Sequence, residues 1–239
     1  MAELKYKRVL LKISGEGLSG TGAFGISGNA INILADQILE LSNLGVQPAV
    51  VVGAGNLLRG ETLSNQTSIH RATADQMGML ATVINSLALQ DVLESKGLST
   101  RVMSALEMNS VCEPFIRRRA QKHLEDGRAI ILAGGTGNPF FTTDTCASLR
   151  AAEICADVLI KATKVDGVYN ADPVKDPTAT MYKKLSFDEV IRDNLKVMDQ
   201  TAMTMCRDND IDVIVCNLMK PGTVSKVITG YSVGTLITK

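Results

Sequence analysis

The sequence predicts an α/β fold in which a mainly parallel sheet is covered by helices on both faces. Short apolar, β-branched runs alternate with longer stretches of three- and four-residue apolar spacing, the pattern of strands separated by crossover helices. Some of the short runs are apolar throughout, as strands buried on both faces must be. Glycine clusters follow the strands, where open parallel sheets gather ligands.

Arg8–Ile13 reads as the first strand, followed by a loop with five glycines between Gly15 and Gly25. Ile31, Leu34, Ile38 and Leu41 then mark one helix face, with Gly45 as its stop signal. Val46–Val52 is a continuous apolar strand, Arg59–Arg71 reads as a polar mobile loop, and a long helix is expected over Ala72–Ser95. Further strands are expected at Arg101–Met103, Ala129–Leu132, Val158–Lys161 and Ile211–Cys216. Further helices are expected at Ile116–Glu125, Thr143–Ile154, Phe187–Asn194 and Thr201–Asn209. Asp166–Tyr182, with Asp172-Pro173 and Asp176-Pro177, reads as a turn-rich excursion within one domain spanning residues 1–239.

The 239 residues are 45% hydrophobic, enough for a substantial core, and 25 Lys+Arg balance 25 Asp+Glu. A neutral chain argues against nucleic-acid binding by bulk electrostatics, and 4% aromatics without Trp disfavour base-stacking platforms. No membrane span is expected, and the opening stretch has no signal-peptide character. Five cysteines (Cys112, Cys146, Cys155, Cys206, Cys216) without a CxxC pair suit a reducing, cytoplasmic setting as small buried hydrophobes. His70 and His123 lack ligand spacing and read as surface or satisfied residues; no protein-held metal site is expected.

Three strand ends run into glycine: Lys12-Ile-Ser-Gly15, Gly53-Ala-Gly-Asn56 and Gly134-Gly-Thr-Gly137. Successive N–H groups in such loops can converge on an anion, and three at consistent positions point to a phosphate-rich pocket. Gly15-x-Gly17-x-x-Gly20 matches the dinucleotide fingerprint formally. Its glycines, however, continue to Gly25 before any helical period, and the next strand ends in Gly53-Ala54-Gly55 rather than an acid. A P-loop is excluded because Gly-Lys occurs nowhere.

Lys12-Ile-Ser-Gly15, Gly53-Ala-Gly-Asn-Leu-Leu-Arg-Gly60, Asp75-Gln-Met-Gly-Met79, Thr136-Gly-Asn-Pro-Phe-Phe-Thr-Thr-Asp144, Leu159-Ile-Lys-Ala-Thr-Lys-Val-Asp-Gly167 and Asp172-Pro-Val-Lys-Asp-Pro177 resemble, in order, the bacterial UMP kinases of the amino-acid kinase superfamily. The resemblance covers nearly the whole chain. It implies a three-layer αβα sandwich and transfer of the γ-phosphoryl group of MgATP to UMP. It also implies GTP activation, UTP inhibition and a homohexamer built as a trimer of dimers. Mg²⁺ would be carried with ATP.

By the same resemblance, Lys12, Arg59, Asp144 and Lys161 form the catalytic set. UMP would be held by Ala54, Asp75, Thr136, Gly137, Asn138, Pro139, Phe140, Phe141, Thr142 and Thr143. ATP would be held by Lys12, Ile13, Ser14, Gly15, Gly55, Arg59, Thr163, Tyr169 and Asp172. Gly20, Thr21, Gly22, Ala23, Phe24 and Gly25 match the GTP-activation segment. From sequence alone, Asp144 reads equally as a helix-start charge, Lys161 as an edge lysine, and Asp199 as a helix cap. The apolar stripe over Met77–Leu93 reads as core, or as a dimer face by resemblance. Ala54 departs from the three glycines usual in the family, which matters only if its φ is positive. Other acceptors within the superfamily (carbamate, acetylglutamate, aspartate) and non-catalytic polyoxoanion storage are the rival readings.

The chemistry agrees with a cationic pocket. Two unit charges about 4 Å apart at an effective dielectric near 20 repel by roughly 4 kcal/mol, so bringing a phosphate acceptor to a polyphosphate donor is the main obstacle. An acceptor already ionised at neutral pH needs no general base.

Overall fold

The computed structural model describes residues 4–20, 24–218 and 220–239. In chain order its strands are β1 (Arg8–Ile13), β2 (Gln47–Val52), β3 (Thr100–Ser104), β4 (Glu113–Pro114), β5 (Ala129–Ala133), β6 (Val158–Ala162), β7 (Lys184–Ser186), β8 (Asp212–Cys216) and β9 (Thr235–Thr238). Its helices are α1 (Gly28–Asn43), α2 (Gly60–Gln66), α3 (Arg71–Ser95), α4 (Arg117–Glu125), α5 (Thr143–Ile154), α6 (Phe187–Arg192), α7 (Gln200–Asp208) and α8 (Thr223–Ile228). All strands join one sheet in the order β4-β3-β5-β2-β1-β6-β8-β9-β7. Pairing is parallel except between β8 and β9.

Alternation along the strands divides the core in two. Val9, Leu11, Val50 and Ile131 pack with Leu34 and Ile38 of α1, Leu89 and Leu93 of α3, and Val224 of α8. Leu10, Val51, Ile130 and Leu159 pack on the opposite face with Leu124 of α4, Ala147 and Ala151 of α5, and Met203 of α7. The result is the expected three-layer αβα sandwich. The chain leaves β1 toward β2 on one side and later crosses to place β6 on the other, so strand order reverses at β1. A crevice opens at the carboxyl ends of the strands at such a point.

The expected elements form, with ends shifted by a residue or two. Arg59–Arg71 corrects the expectation of an irregular loop: it contains α2, whose polar sequence has too few apolar residues to show a period. Phe187–Asn194 stops at Arg192, and Asn194 adopts φ 49°, outside the helical range. β4, β7, β9 and α8 add to the expected elements; at two to six residues each they are too short to show a period in the sequence. No helix among the described residues is long and apolar enough to cross a membrane.

Candidate active site

β1 and β6 place Lys12 and Lys161 side by side in register at their carboxyl ends. Both follow the strand alternation toward the α5 face, where Asp144 sits in that helix's first turn. The Thr142 hydroxyl caps α5 by accepting from the Asp144 and Thr145 N–H groups at 3.0 and 3.1 Å. One carboxylate then joins the two cations. Lys12 Nζ lies 2.7 Å from Asp144 Oδ1, and Lys161 Nζ lies 2.9 Å from Oδ2. Lys161 also donates to the Val197 carbonyl.

This triad is nearly closed to solvent, with side-chain exposures of 10% for Lys12 and 15% for Asp144 and Lys161. Burial pushes the Asp144 carboxyl upward, but Lys12 and Lys161 together outweigh it and hold the group below its usual range. Burial lowers the Lys161 ammonium; Asp144 opposes this and Lys12 adds to it, leaving a net depression. Two lysines against one carboxylate leave one positive charge for an incoming phosphoryl group.

One cavity opens beyond β1 at the ends of β2 and β5 and another beside β6 and β8; of the triad, Lys161 lines the second. The first, of about 220 Å³, is lined by Ala54, Gly55, Arg59, Asp75, Met79, Thr82, Thr136, Asn138, Phe141, Thr142 and Thr143 among others. The second, of about 560 Å³, is lined by Lys161, Thr163, Tyr169, Asn170, Asp172, Pro173, Lys196 and Val197 among others. The turn-rich excursion is thus a wall of this second cavity. Most residues assigned to UMP by resemblance gather at the first cavity, while Gly137, Pro139 and Phe140 do not line it. Thr163, Tyr169 and Asp172 gather at the second. Gly55 and Arg59, assigned to ATP, border the first cavity instead, and Ile13 and Ser14 border a small recess beside Thr163.

The loops are held by close backbone contact. A Cβ at Gly15 would stand 2.5 Å from the Gly55 nitrogen and 2.8 Å from the Ala54 carbonyl carbon, so glycine is required there by packing. Ala54 is not among the positive-φ residues, and its methyl is accommodated without backbone strain. Phe140 does adopt φ 71°, and its N–H donates to Asp75 Oδ2 at 2.9 Å. Asp75 also accepts from Arg71 Nε at 2.9 Å, while Arg59 pairs with Glu16.

Asp199 does more than cap. It accepts from the Ala202 N–H at 2.9 Å, as a helix cap should. It also accepts hydrogen bonds from the Thr142 and Thr145 hydroxyls, fastening α7 to the start of α5. Thr142 is therefore committed to the helix start, leaving Thr143 as the freer hydroxyl. The Ser/Thr-x-x-Thr spacing at Thr142 and Thr145 was the available signal, but its partner lies 57 residues from Thr142.

Of the segment matched to GTP activation, Gly20, Phe24 and Gly25 are described; Thr21, Gly22 and Ala23 lie outside the described residues. His70 is exposed at the start of α3, and buried His123 is satisfied by Glu113 and Arg128. Burial raises the Cys146 and Cys206 thiols to about 11 and Cys216 to about 12. A thiol reagent should label exposed Cys155 first and leave these three untouched and activity intact, as read by intact mass and turnover. Inactivation of the folded protein on labelling Cys155 would reveal a thiol role.

The chain matches the Amino acid kinase family model over residues 7–217. Its structure is similar to the UMP kinase of Bacillus anthracis, with TM-score 0.94 and 40% identity over 98% of this chain and 96% of that one. It is also similar to the UMP kinase of Ureaplasma parvum, with TM-score 0.91 and 35% identity over 99% and 100% of the two chains. For the uridylate kinase of Archaeoglobus fulgidus the values are 0.74 and 30%, over 96% and 99%. With the family model spanning most of its length and a strand-end lysine pair bridged by Asp144 between two cavities, the chain belongs to the amino acid kinase family.

Proposed function

We propose that this chain is an ATP-dependent UMP kinase, a single catalytic domain that converts ATP and UMP to ADP and UDP. The observation that carries the reading is the Lys12–Asp144–Lys161 triad between two cavities, one bearing the residues expected for UMP and the other those expected for ATP. UMP would occupy the first cavity. Asp75 would accept from its ribose, Arg59 would clamp its phosphate, and the Thr136–Thr143 segment would read its base through backbone amides. ATP would occupy the second, with Tyr169 beside the adenine and Thr163 and Asp172 at its polar edges. Asp172 already turns its carboxylate toward the Val174 N–H at 3.0 Å.

The UMP phosphate is largely ionised at neutral pH, having a second pKa of about 6, and attacks without a general base. Lys12 and Lys161 neutralise the transferring group and hold donor and acceptor in line, with Asp144 fixing both ammonium groups. Asp144 and Asp199 are already engaged, no cluster among the described residues forms a ready-made carboxylate cage, and a metal arriving on nucleotide phosphates fits this donor set. When bound, Mg²⁺ would neutralise phosphate charge.

GTP activation and UTP inhibition, a role in cytoplasmic pyrimidine nucleotide synthesis, and a trimer of dimers belong to the same proposal. Leu80 and Ile84 support the assembly: 47% and 56% exposed and one turn apart on α3, they offer an apolar face to a second copy.

Pure protein with Mg²⁺ and ATP should form UDP from UMP, and the rate should rise with GTP and fall with UTP. Preference for carbamate, acetylglutamate or aspartate, or no turnover at all, overturns the reading. A pH dependence follows from Lys161. The ammonium is the active form and its pKa is depressed, so kcat/KM should fall at a pH below the ordinary lysine value of about 10.4. Lys161→Arg, which stays charged, should lose that alkaline limb even if slower. A limb unchanged by the substitution belongs to another group.

A further inference from the structure

Two asparagines outside the substrate-facing set are buried beneath the glycine loops: Asn85 of α3 is 0% exposed and Asn56 is 1% exposed. Their amides pair reciprocally. Asn85 Nδ2 donates to Asn56 Oδ1 at 2.8 Å, and Asn56 Nδ2 donates to Asn85 Oδ1 at 3.0 Å. Each uses its second N–H on a loop carbonyl, Asn85 on Gly53 at 2.8 Å and Asn56 on Gly25 at 2.8 Å. Gly25 returns its own N–H to the Asn56 carbonyl at 2.9 Å. One turn earlier on α3, Thr82 Oγ1 accepts from the Gly134 N–H at 2.9 Å.

One face of α3 therefore holds the loops that follow β1, β2 and β5. Two buried amides are costly unless fully bonded, and here every amide hydrogen has a partner. Apolar side chains could fill the same space; what they could not supply is loop register. Asn56 Oδ1 lies 2.6 Å from where a Cβ at Gly15 would stand, so the β1 and β2 loops interlock around this pair. We infer that Asn85 and Asn56 act as one positioning unit that locks the Gly53–Gly55 loop against Gly15 and Gly25 after β1, so that the two sides do not shift independently at these contacts. The substrate in this inference rests on the UMP kinase reading; the loop lock itself does not.

Asn85→Ala, Asn56→Ala and the double variant test it, with Leu93→Ala, a core substitution on the same helix, as the stability control. In folded protein below its Tm, each single variant should lower kcat/KM for UMP about tenfold or more, as small misplacements of reacting groups do. The double variant should be no worse than the worse single, because the pair acts as a unit. Leu93→Ala should lower Tm while leaving kcat and KM unchanged. Amide exchange at Gly25 should speed up in Asn85→Ala. Wild-type kinetic constants in the single variants, additive losses in the double, or unaltered Gly25 exchange overturns the inference. If alanine at position 85 prevents folding, Asn85→Ser and Asn56→Ser carry the same comparison. If the native chain makes no UDP, the substrate reading fails, and the exchange measurement still decides the loop lock.

Discussion

Lys12→Ala should lower kcat by about 10²-fold or more, the usual consequence of deleting one preorganised transition-state donor. Its ammonium lies 2.7 Å from Asp144 at the carboxyl end of β1, in register with Lys161. Removing it leaves Asp144 still paired with Lys161 at 2.9 Å, so no buried charge is orphaned and the fold should survive. The loss should fall on turnover, because the first cavity is built from α3 and the loops after β2 and β5. KM for UMP should change far less than kcat. Lys12→Arg should not restore the rate, since a planar guanidinium cannot occupy the place of a compact ammonium beside Lys161. Steady-state kinetics with a melting curve for each variant measures this. An unchanged kcat in folded Lys12→Ala would remove the residue from the catalytic set.

Asp144→Asn should act on stability as well as rate. It strands two lysines of 10% and 15% side-chain exposure beside each other on neighbouring strands. Removing the partner of a buried charge costs about 3–5 kcal/mol. In the native chain the Asp144 pKa is depressed, so its stabilisation is complete above the unfolded carboxylate value and disappears only as pH falls through the lower folded value. Near neutral pH the native protein should show no titration from this group. The variant should instead regain stability as pH rises, because Lys161, depressed by burial and by Lys12 and now without its carboxylate, then sheds its proton. Added ATP should raise its Tm more than that of the native chain, by supplying the missing negative charge. Denaturant melts across pH, with and without nucleotide, test both points. A variant as stable as the native chain at pH 7 would mean that the lysines separate freely and that Asp144 is not what holds them.

Much of this arrangement was legible in the chain. Lys12 and Lys161 each close an apolar run, and a lysine there either meets an anion or is wasted. The glycine clusters after β1, β2 and β5 marked the edge of the sheet where the site lies. Sequence spacing could not show that one carboxylate bridges both lysines, because Asp144 reads locally as a first-turn charge. Asp199 likewise reads as a cap, and its grip on Thr142 and Thr145 is a long-range contact between helix starts. Asn85 gave a weaker signal. Thr82, Asn85 and Ser86 put polar groups on the buried side of α3, where a simple core helix would be apolar. The positive φ of Phe140 had no local cause to read, since Asp75 stabilises it from 65 residues away. The short edge strands and α2 lacked the length or apolar content to register as periods.

The central claim is that a shared carboxylate presents two lysines to phosphates arriving from opposite cavities. A crystal structure of the protein with UMP and a non-hydrolysable ATP analogue tests it most directly. The UMP phosphate should lie between Arg59 and Lys12, the γ-phosphate between Lys12 and Lys161, and Asp144 should keep contact with both ammonium groups. Nucleotides bound away from Lys12 and Lys161, with the triad touching neither phosphate, would refute it.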